Sequence, residues 1–502
     1  MQIEEILQGV ECLRRSGASA NITGVEYDSR RVAPGSLFVA IQGETTDGNL
    51  YVKNAIDKGA VAVVTDSSAT FNDLALNHPH IAIAEVARGR NALASIAANF
   101  FSHPEKQLAL CGVTGTNGKT TTAFLLDAML NHAGRKTVLV GTIEYHVAGT
   151  VRNSPHTTPE SRDLLELLRD GADAGATEAV MEVSSHALAQ GRVHGLPFDV
   201  AIFTNLTRDH LDFHGTMENY FAAKRKLFDG SLVTPPRVAV VNIEDPFGAQ
   251  LASVAREVGS EIFSYGIGVG DFRAGRIQMA AGGMRFMLES PAGSVQIETR
   301  LTGRVNVYNL LAASAAAFAR GLSLEEIHAG VASLQCVPGR FQTVGMGQPF
   351  TVVVDYAHTD DALRNLTSLA REFVTVTGGK VITVFGCGGD RDKTKRPLMG
   401  RAAGEGSDIV VLTSDNPRSE DPQATLCDVL PGLEMTDAQF VTEVDRYRAI
   451  RMTLKAAKPG DIILIAGKGH EKTQTLKNGT IPFDDAEVAA TILNELQARV
   501  KA

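Results

Sequence analysis

No apolar run in this 502-residue sequence reaches the length of a membrane span, and residues 1–17 carry no basic stretch followed by an apolar core. A bilayer-crossing helix and a secretory leader are therefore not expected, and a cytoplasmic location is. Positive charge is also short: the formal net charge of -9 speaks against a general binder of nucleic acid, which needs a basic surface to neutralise phosphates. The five cysteines (Cys12, Cys111, Cys336, Cys387 and Cys427) are odd in number and lack CxxC spacing. That pattern fits reduced thiols, not a disulfide or zinc framework, and all five are expected to act as small buried apolar residues. There is no short-period repeat. With 44% hydrophobic and 21% charged residues the chain is globular, and its length calls for two to four domains.

What is present is an alternation of short apolar runs with longer helical patterns, the signature of α/β layers on mainly parallel sheets. The runs fall near residues 61–65, 108–113, 137–141, 200–204, 238–242, 352–355, 381–385 and 462–466. Proline and glycine punctuation marks junctions near 101–105 and 335–340, dividing the chain into units 1–104, 105–335 and 336–502.

The run at 108–113 feeds Thr114, Gly115, Thr116, Asn117, Gly118, Lys119, Thr120 and Thr121, followed by an apolar helix over 123–133. Glycines let the backbone wrap closely around phosphate oxygens, and the helix start offers unpaired N–H groups. Lys119 adds positive charge, and Thr120 is placed to ligate magnesium. Val113 stands where the strict P-loop pattern has its first glycine, so this is a variant loop. ATP or GTP binding is expected.

A second apolar run delivers Glu182, and a carboxylate at the C-terminal end of a parallel strand beside a phosphate loop is suited to hold magnesium. A helix cap or surface acid is the alternative. A third strand runs into Asp209, His210, Asp212 and His214, a natural second metal or phosphate site. Magnesium with His210 is favoured there over zinc, and His214 is read as structural. The helix that follows carries Lys224, Arg225 and Lys226; by charge pattern alone it is a solvated basic face.

In this order and spacing, Gly115 to Thr120, Met181 to His186 and Thr204 to Gly215 resemble the Mur ligases, which join amino acids to a UDP-linked muramoyl peptide. The likeness continues through Tyr308 and Asn309, Pro338 to Arg340, Asp355 to Thr359 and Gly467 to Glu471. It implies an N-terminal UDP-binding domain, a central P-loop ATPase with a parallel sheet and a C-terminal Rossmann-like domain that brings the amino acid. It implies that Lys224 is carbamylated and works with magnesium held by Thr120, Glu182 and His210. Asn309 matches a residue contacting adenine, and Arg340 and Asp355 match residues closing on the nucleotide. Ser29, Glu44, Thr45 and Thr46 match the uridine and diphosphate segments. Thr157, Thr158, Ser184, Gln190 and Arg192 match positions gripping the muramoyl dipeptide. The chain departs from the family at Asp360, where proline is common, and at His156, where asparagine often stands.

The loop Ser414, Asp415, Asn416, Pro417, Arg418 bears on which amino acid is added. A turn signalled by Asn-Pro holds its neighbours in place, and a guanidinium fork suits bidentate capture of a carboxylate. Diaminopimelate differs from lysine by one distal carboxylate, so Arg418 favours it. The same string resembles the diaminopimelate-adding members, with Arg391, Gly467 and Glu471 completing the pocket and Glu471 taking the ammonium. The plainer alternative is a surface ion pair of Arg418 with Glu420 or Asp421.

The expected partners are therefore UDP-N-acetylmuramoyl-L-alanyl-D-glutamate, meso-diaminopimelate, ATP and magnesium, acting on a monomer with no nucleic acid or membrane involved. Rival readings are a lysine-adding ligase, a folylpolyglutamate synthetase and a nucleotide-gated switch that forms no bond. The segment around Ser29 disfavours the folate enzyme.

Overall fold

The computed structural model describes residues 1–43, 46–280 and 282–501. Three large sheets follow one another along the chain, and a two-stranded hairpin, Thr473–Leu476 with Gly479–Pro482, lies beyond the strands of the third. The first has five strands in the order Cys12–Ser16, Ala82–Val86, Ala62–Thr65, Ser36–Ala40, Gly24–Glu26. Only its first strand is antiparallel to its neighbour. The last sheet has six strands: Gln342–Thr343, Thr351–Asp355, Ile462–Ala466, Val381–Phe385, Ile409–Thr413 and Gln439–Glu443. It is parallel apart from the short first strand.

The middle sheet has eleven strands, and its centre is parallel. Ala109–Thr114 lies between Phe198–Phe203 and Glu178–Glu182, so the loops after these three strands open at the same edge. In a parallel sheet that edge is where ligands collect. All five residues of Glu178–Glu182 are buried, as expected of a strand covered on both faces. The helix Lys119–His132 covers one face with Arg304–Ala319, burying Leu125, Leu126, Met129, Leu310 and Leu311 in one cluster.

The sequence reading of mainly parallel layers left out the antiparallel additions at both ends of this sheet. Phe272–Ala280, Gly283–Ser290 and Gly293–Thr299 extend one end, and Glu144–Val147 with Thr150–Asn153 the other. These strands are half exposed, so they lack the continuous apolar runs that marked the buried ones. The cysteine expectation needs correction too. All five are free thiols, but only Cys111 and Cys387 are buried, while Cys336 and Cys427 are exposed at surface positions. Among the described residues no helix is long and apolar enough to cross a membrane.

His146 pins the Glu144–Val147 strand to the phosphate-loop helix. Its Nδ1 lies 3.2 Å from Asp127 and its Nε2 2.8 Å from Glu144. Burial alone would lower its pKa, but the two carboxylates outweigh it and raise the value to about 8. A raised histidine stabilises the fold fully below its ordinary pKa of about 6.5, and that contribution is lost as pH rises through 8. His146→Gln is therefore expected to lose about 1–2 kcal/mol at pH 6 and almost nothing at pH 9. Denaturation midpoints measured at the two pH values check this, and an equal loss at both would contradict it.

Candidate active site

The phosphate loop is set by two glycines. Gly115 has φ 152° and a Cβ there would strike Thr204 Oγ1; Gly118 has φ 87° and a Cβ there would strike Asn309 Oδ1. Both positions demand glycine because the loop lies directly against neighbouring side chains. The neighbouring strand end fixes the loop from outside: Asn117 N–H donates to Asn205 Oδ1 at 2.9 Å, and Thr204 Oγ1 donates to the Asn117 carbonyl at 2.6 Å. Thr116 N–H donates to the Asn205 carbonyl. Thr121 is buried in the first turn of the helix.

Two lysines converge on one oxygen. Lys119 Nζ donates to the carbonyls of Gly115 and Thr116, each at 2.8 Å, and Lys224 Nζ donates to the same Gly115 carbonyl at 2.8 Å. Lys224 is 1% exposed and sits 4.6 Å over the Tyr220 ring, so the solvated basic face expected from its charge pattern is wrong. The helix Met217–Arg225 turns that residue inward while Arg225 faces solvent. Burial, then the Lys119 charge, pushes the Lys224 pKa well below the usual lysine range. Burial lowers Lys119 as well, with Glu182 opposing.

Glu182 is 1% exposed and fully engaged. It accepts from Thr120 Oγ1 at 3.0 Å, Thr142 N–H at 2.7 Å and Thr142 Oγ1 at 3.1 Å, which rules out a surface acid. Adjacent carboxylate and hydroxyl oxygens are the donor set that magnesium takes from a protein when phosphates and water supply the rest. Among the described residues, no three His, Cys, Asp or Glu side chains gather closely enough to hold an ion alone. His210 has φ 52° and its ring packs 4.8 Å from His186; burial, with nearby His186, Lys119 and Lys224 adding, lowers its pKa to about 4. His214 is buried with Nε2 3.0 Å from Ser185 Oγ.

Beyond Glu182 the proposed dipeptide positions gather. Thr157 Oγ1 lies 3.0 Å from Thr142 Oγ1, and Thr158 Oγ1 donates to the Glu182 carbonyl at 2.8 Å. Ser184 N–H donates to Thr158 Oγ1, and Arg192 donates to the Thr158 carbonyl while pairing with Glu160 at 3.1 Å. Gln190 lines a cavity of about 480 Å³ between the first and middle sheets, together with Gln42, Arg88, Arg90 and Lys226. Ser29 and Thr46 are not among its lining residues, and Glu44 and Thr45 lie outside the described residues.

The C-terminal unit reaches across to the loop. Arg340 donates to Thr120 Oγ1 at 3.2 Å and stacks 4.7 Å over Tyr356. Asp355 accepts from Phe341 and Ala357 N–H; burial raises its pKa against the pull of Arg340. Asp361, which the sequence reading missed, accepts from Asn117 Nδ2 at 3.1 Å and Thr207 Oγ1 at 3.2 Å. It follows Thr359, whose hydroxyl caps the helix Asp360–Thr377, so Asp360 fills the first helical position that proline often takes.

Between the units lies a cavity of about 510 Å³. His186, Asp209, His210 and Asp212 line it from the middle unit, and Tyr356, His358, Thr359, Arg391, Asp415, Asn416, Arg418, Gly467 and Glu471 from the C-terminal unit. Arg418 has φ 52° and donates to the Gly389 carbonyl at 2.6 Å. Glu420 pairs instead with Arg396 and Lys393, and Asp421 caps the next helix, so the surface ion-pair reading of Arg418 does not hold. The Pro417 carbonyl crowds Gly389 and keeps the two loops in contact. Glu471 accepts from Asn416 Nδ2 at 2.7 Å and Lys468 Nζ at 3.1 Å.

Comparison with known proteins agrees with this geometry. Residues 21–101 match the Mur ligase family catalytic domain, 113–317 the Mur ligase middle domain and 339–469 the Mur ligase glutamate ligase domain. The chain belongs to the Mur ligase family. It is 52% identical to the UDP-N-acetylmuramoyl-L-alanyl-D-glutamate--2,6-diaminopimelate ligase of Solibacter usitatus (strain Ellin6076), over 98% of each protein. A solved structure of a ligase of that name is 32% identical, covers 95% of both chains and has a TM-score of 0.67. The ADP complex of MurF ligase from Thermotoga maritima, 19% identical over 95% of this chain and 98% of that one, shares the fold at a TM-score of 0.65.

Removing the Asp361 carboxylate takes away two bonds that hold the C-terminal unit to the middle one, one to Asn117 of the phosphate loop and one to Thr207 of the neighbouring loop. Each charged hydrogen bond contributes about 1.5 kcal/mol or more, so Asp361→Ala is expected to loosen closure by at least about tenfold. An interdomain fluorescence-transfer pair should report a longer mean distance in the variant, and an unchanged distance distribution would refute the latch.

Proposed function

We propose that this Mur ligase joins meso-2,6-diaminopimelate to the γ-carboxylate of D-glutamate in UDP-N-acetylmuramoyl-L-alanyl-D-glutamate, using ATP and passing through an acyl phosphate. The observation that carries the reading is the cavity between the units, which runs from the phosphate-loop edge to Arg391, Arg418 and Glu471. A molecule with an amine at one end and a second amino-acid group at the other fits such a span, and the guanidinium fork recognises the distal carboxylate that lysine lacks. The relatives that carry this name, more than half identical over nearly the full chain in one case, support the same substrate.

The γ-carboxylate attacks the terminal phosphorus of ATP, and ADP leaves. Lys119 and the loop N–H groups hold the phosphates, Asn309, packed against Gly118, takes the adenine-contacting role that the family resemblance implies, and Arg340 closes from the C-terminal unit. Thr120 and Glu182 would hold magnesium, with His210 and the Lys224 carbamate at a second position; when bound the metal neutralises phosphate charge. The neutral amine that burial favours at Lys224 is the form that adds carbon dioxide. Thr157, Thr158, Ser184, Gln190 and Arg192 hold the muramoyl dipeptide, and the first unit, residues 1–104 with Ser29 and Thr46, holds the uridine diphosphate. The units 105–335 and 336–502 close over the acyl phosphate and exclude water. We take the protein to work as a cytoplasmic monomer.

The test is an amino-acid panel with ATP, magnesium and the muramoyl dipeptide substrate, with product mass as readout. Tripeptide is expected with meso-diaminopimelate and at least about a hundredfold less with lysine; Arg418→Ala should cost about 2–3 kcal/mol in kcat/KM for diaminopimelate and little for lysine. A lysine product would overturn the Arg418 assignment, and no product with any amino acid would overturn the ligase reading.

A further inference from the structure

An attacking amine must shed a proton before its nitrogen becomes an amide, and none of the residues assigned so far accepts it. Glu471 is engaged by Asn416 and Lys468, and His210, packed against His186, is assigned above to the metal. Three imidazoles line the cavity: His186 and His210 from the middle unit, packed on each other, and His358 from the C-terminal unit, which has no role assigned above.

The local structure assigns its tautomer. His358 Nδ1 lies 2.8 Å from the Tyr356 carbonyl, which can only accept, so Nδ1 carries the hydrogen and Nε2 is left with its lone pair. The ring packs 4.6 Å from Tyr356, and Lys395 Nζ donates to the His358 carbonyl at 3.1 Å, which fixes both ring and backbone. We propose that His358 Nε2 accepts the proton released by the attacking amine. This rests on the ligase reading above and names the base for its second step.

The nitrogen lone pair forms the bond to the acyl carbon, and the proton on that nitrogen passes to Nε2. The bond from carbon to the phosphate oxygen then breaks, and phosphate leaves with the electron pair. The imidazolium returns its proton to water. The charged and titratable groups facing His358 are Lys395, Asp209, Arg340, Tyr356 and His470; burial, then Lys395 and Arg340, lowers its pKa, with the bond to the Tyr356 carbonyl and Asp209 opposing.

The experiment uses the full-length enzyme with ATP, magnesium and the muramoyl dipeptide substrate. One assay supplies meso-diaminopimelate and measures amide; the other supplies hydroxylamine, an amine already neutral at pH 7, and measures hydroxamate as a reporter of acyl phosphate. His358→Asn keeps a donor for the Tyr356 carbonyl, and His358→Gln is the second variant. Amide formation is expected to fall about 100-fold with loss of the rising limb of its pH profile, while hydroxamate formation stays within about threefold. A parallel fall in hydroxamate, or an unchanged amide rate, would overturn the proposal. Failure of the wild-type enzyme to form hydroxamate would instead overturn the ligase reading and this proposal with it.

Discussion

Two ammonium groups share the carbonyl oxygen of Gly115, and the arrangement of the middle unit follows from that. Lys119, which is half-buried, and Lys224, which is fully buried, each bond to it at 2.8 Å. Like charges held so close in a low-dielectric site repel strongly, so at least one must lose its proton or the site must gain negative charge. The triphosphate supplies that charge from one side. In the function proposed above, a carbamate on Lys224 supplies it from the other side and replaces a repelling cation with a carboxylate. The loop glycines matter because they hold the Gly115 carbonyl where both lysines reach it.

The amino-acid end is rigid for a different reason. Arg446 and Asp485 form a fully buried pair, bonded at 2.8 and 2.6 Å, and Arg446 also donates to the carbonyls of Ser414 and Ala466. Those carbonyls begin the two loops that carry Arg418 and Glu471. A buried guanidinium cannot be released cheaply once its partner is in place, so the pair fixes the spacing of the loops instead of merely joining them.

Residues whose role is written in local pattern were legible in the sequence. The strand Ala109–Thr114 with its glycines and Lys119 reads as a phosphate loop because apolar run, turn and helix start are contiguous. The burial of Glu182 beside that loop was legible because it ends the apolar strand Glu178–Glu182. Lys224 was not, because its burial is made by a carbonyl 109 residues away, and its own helix looks like any basic surface helix. Asp361 was hidden for the same reason, its partner Asn117 lying 244 residues earlier. The edge hairpins escaped because half-exposed strands lack the runs that betray buried ones, and Cys336 and Cys427 escaped because thiols carry no mark of their exposure.

The charge balance at Gly115 is tested most directly by supplying ¹³C-bicarbonate to the purified protein and recording its carbon NMR spectrum. The account predicts a carbamate carbon signal that is absent in Lys224→Ala and persists when ADP is bound. A wild-type spectrum with no such signal, taken at a pH and bicarbonate level where free lysine amines react, would contradict it.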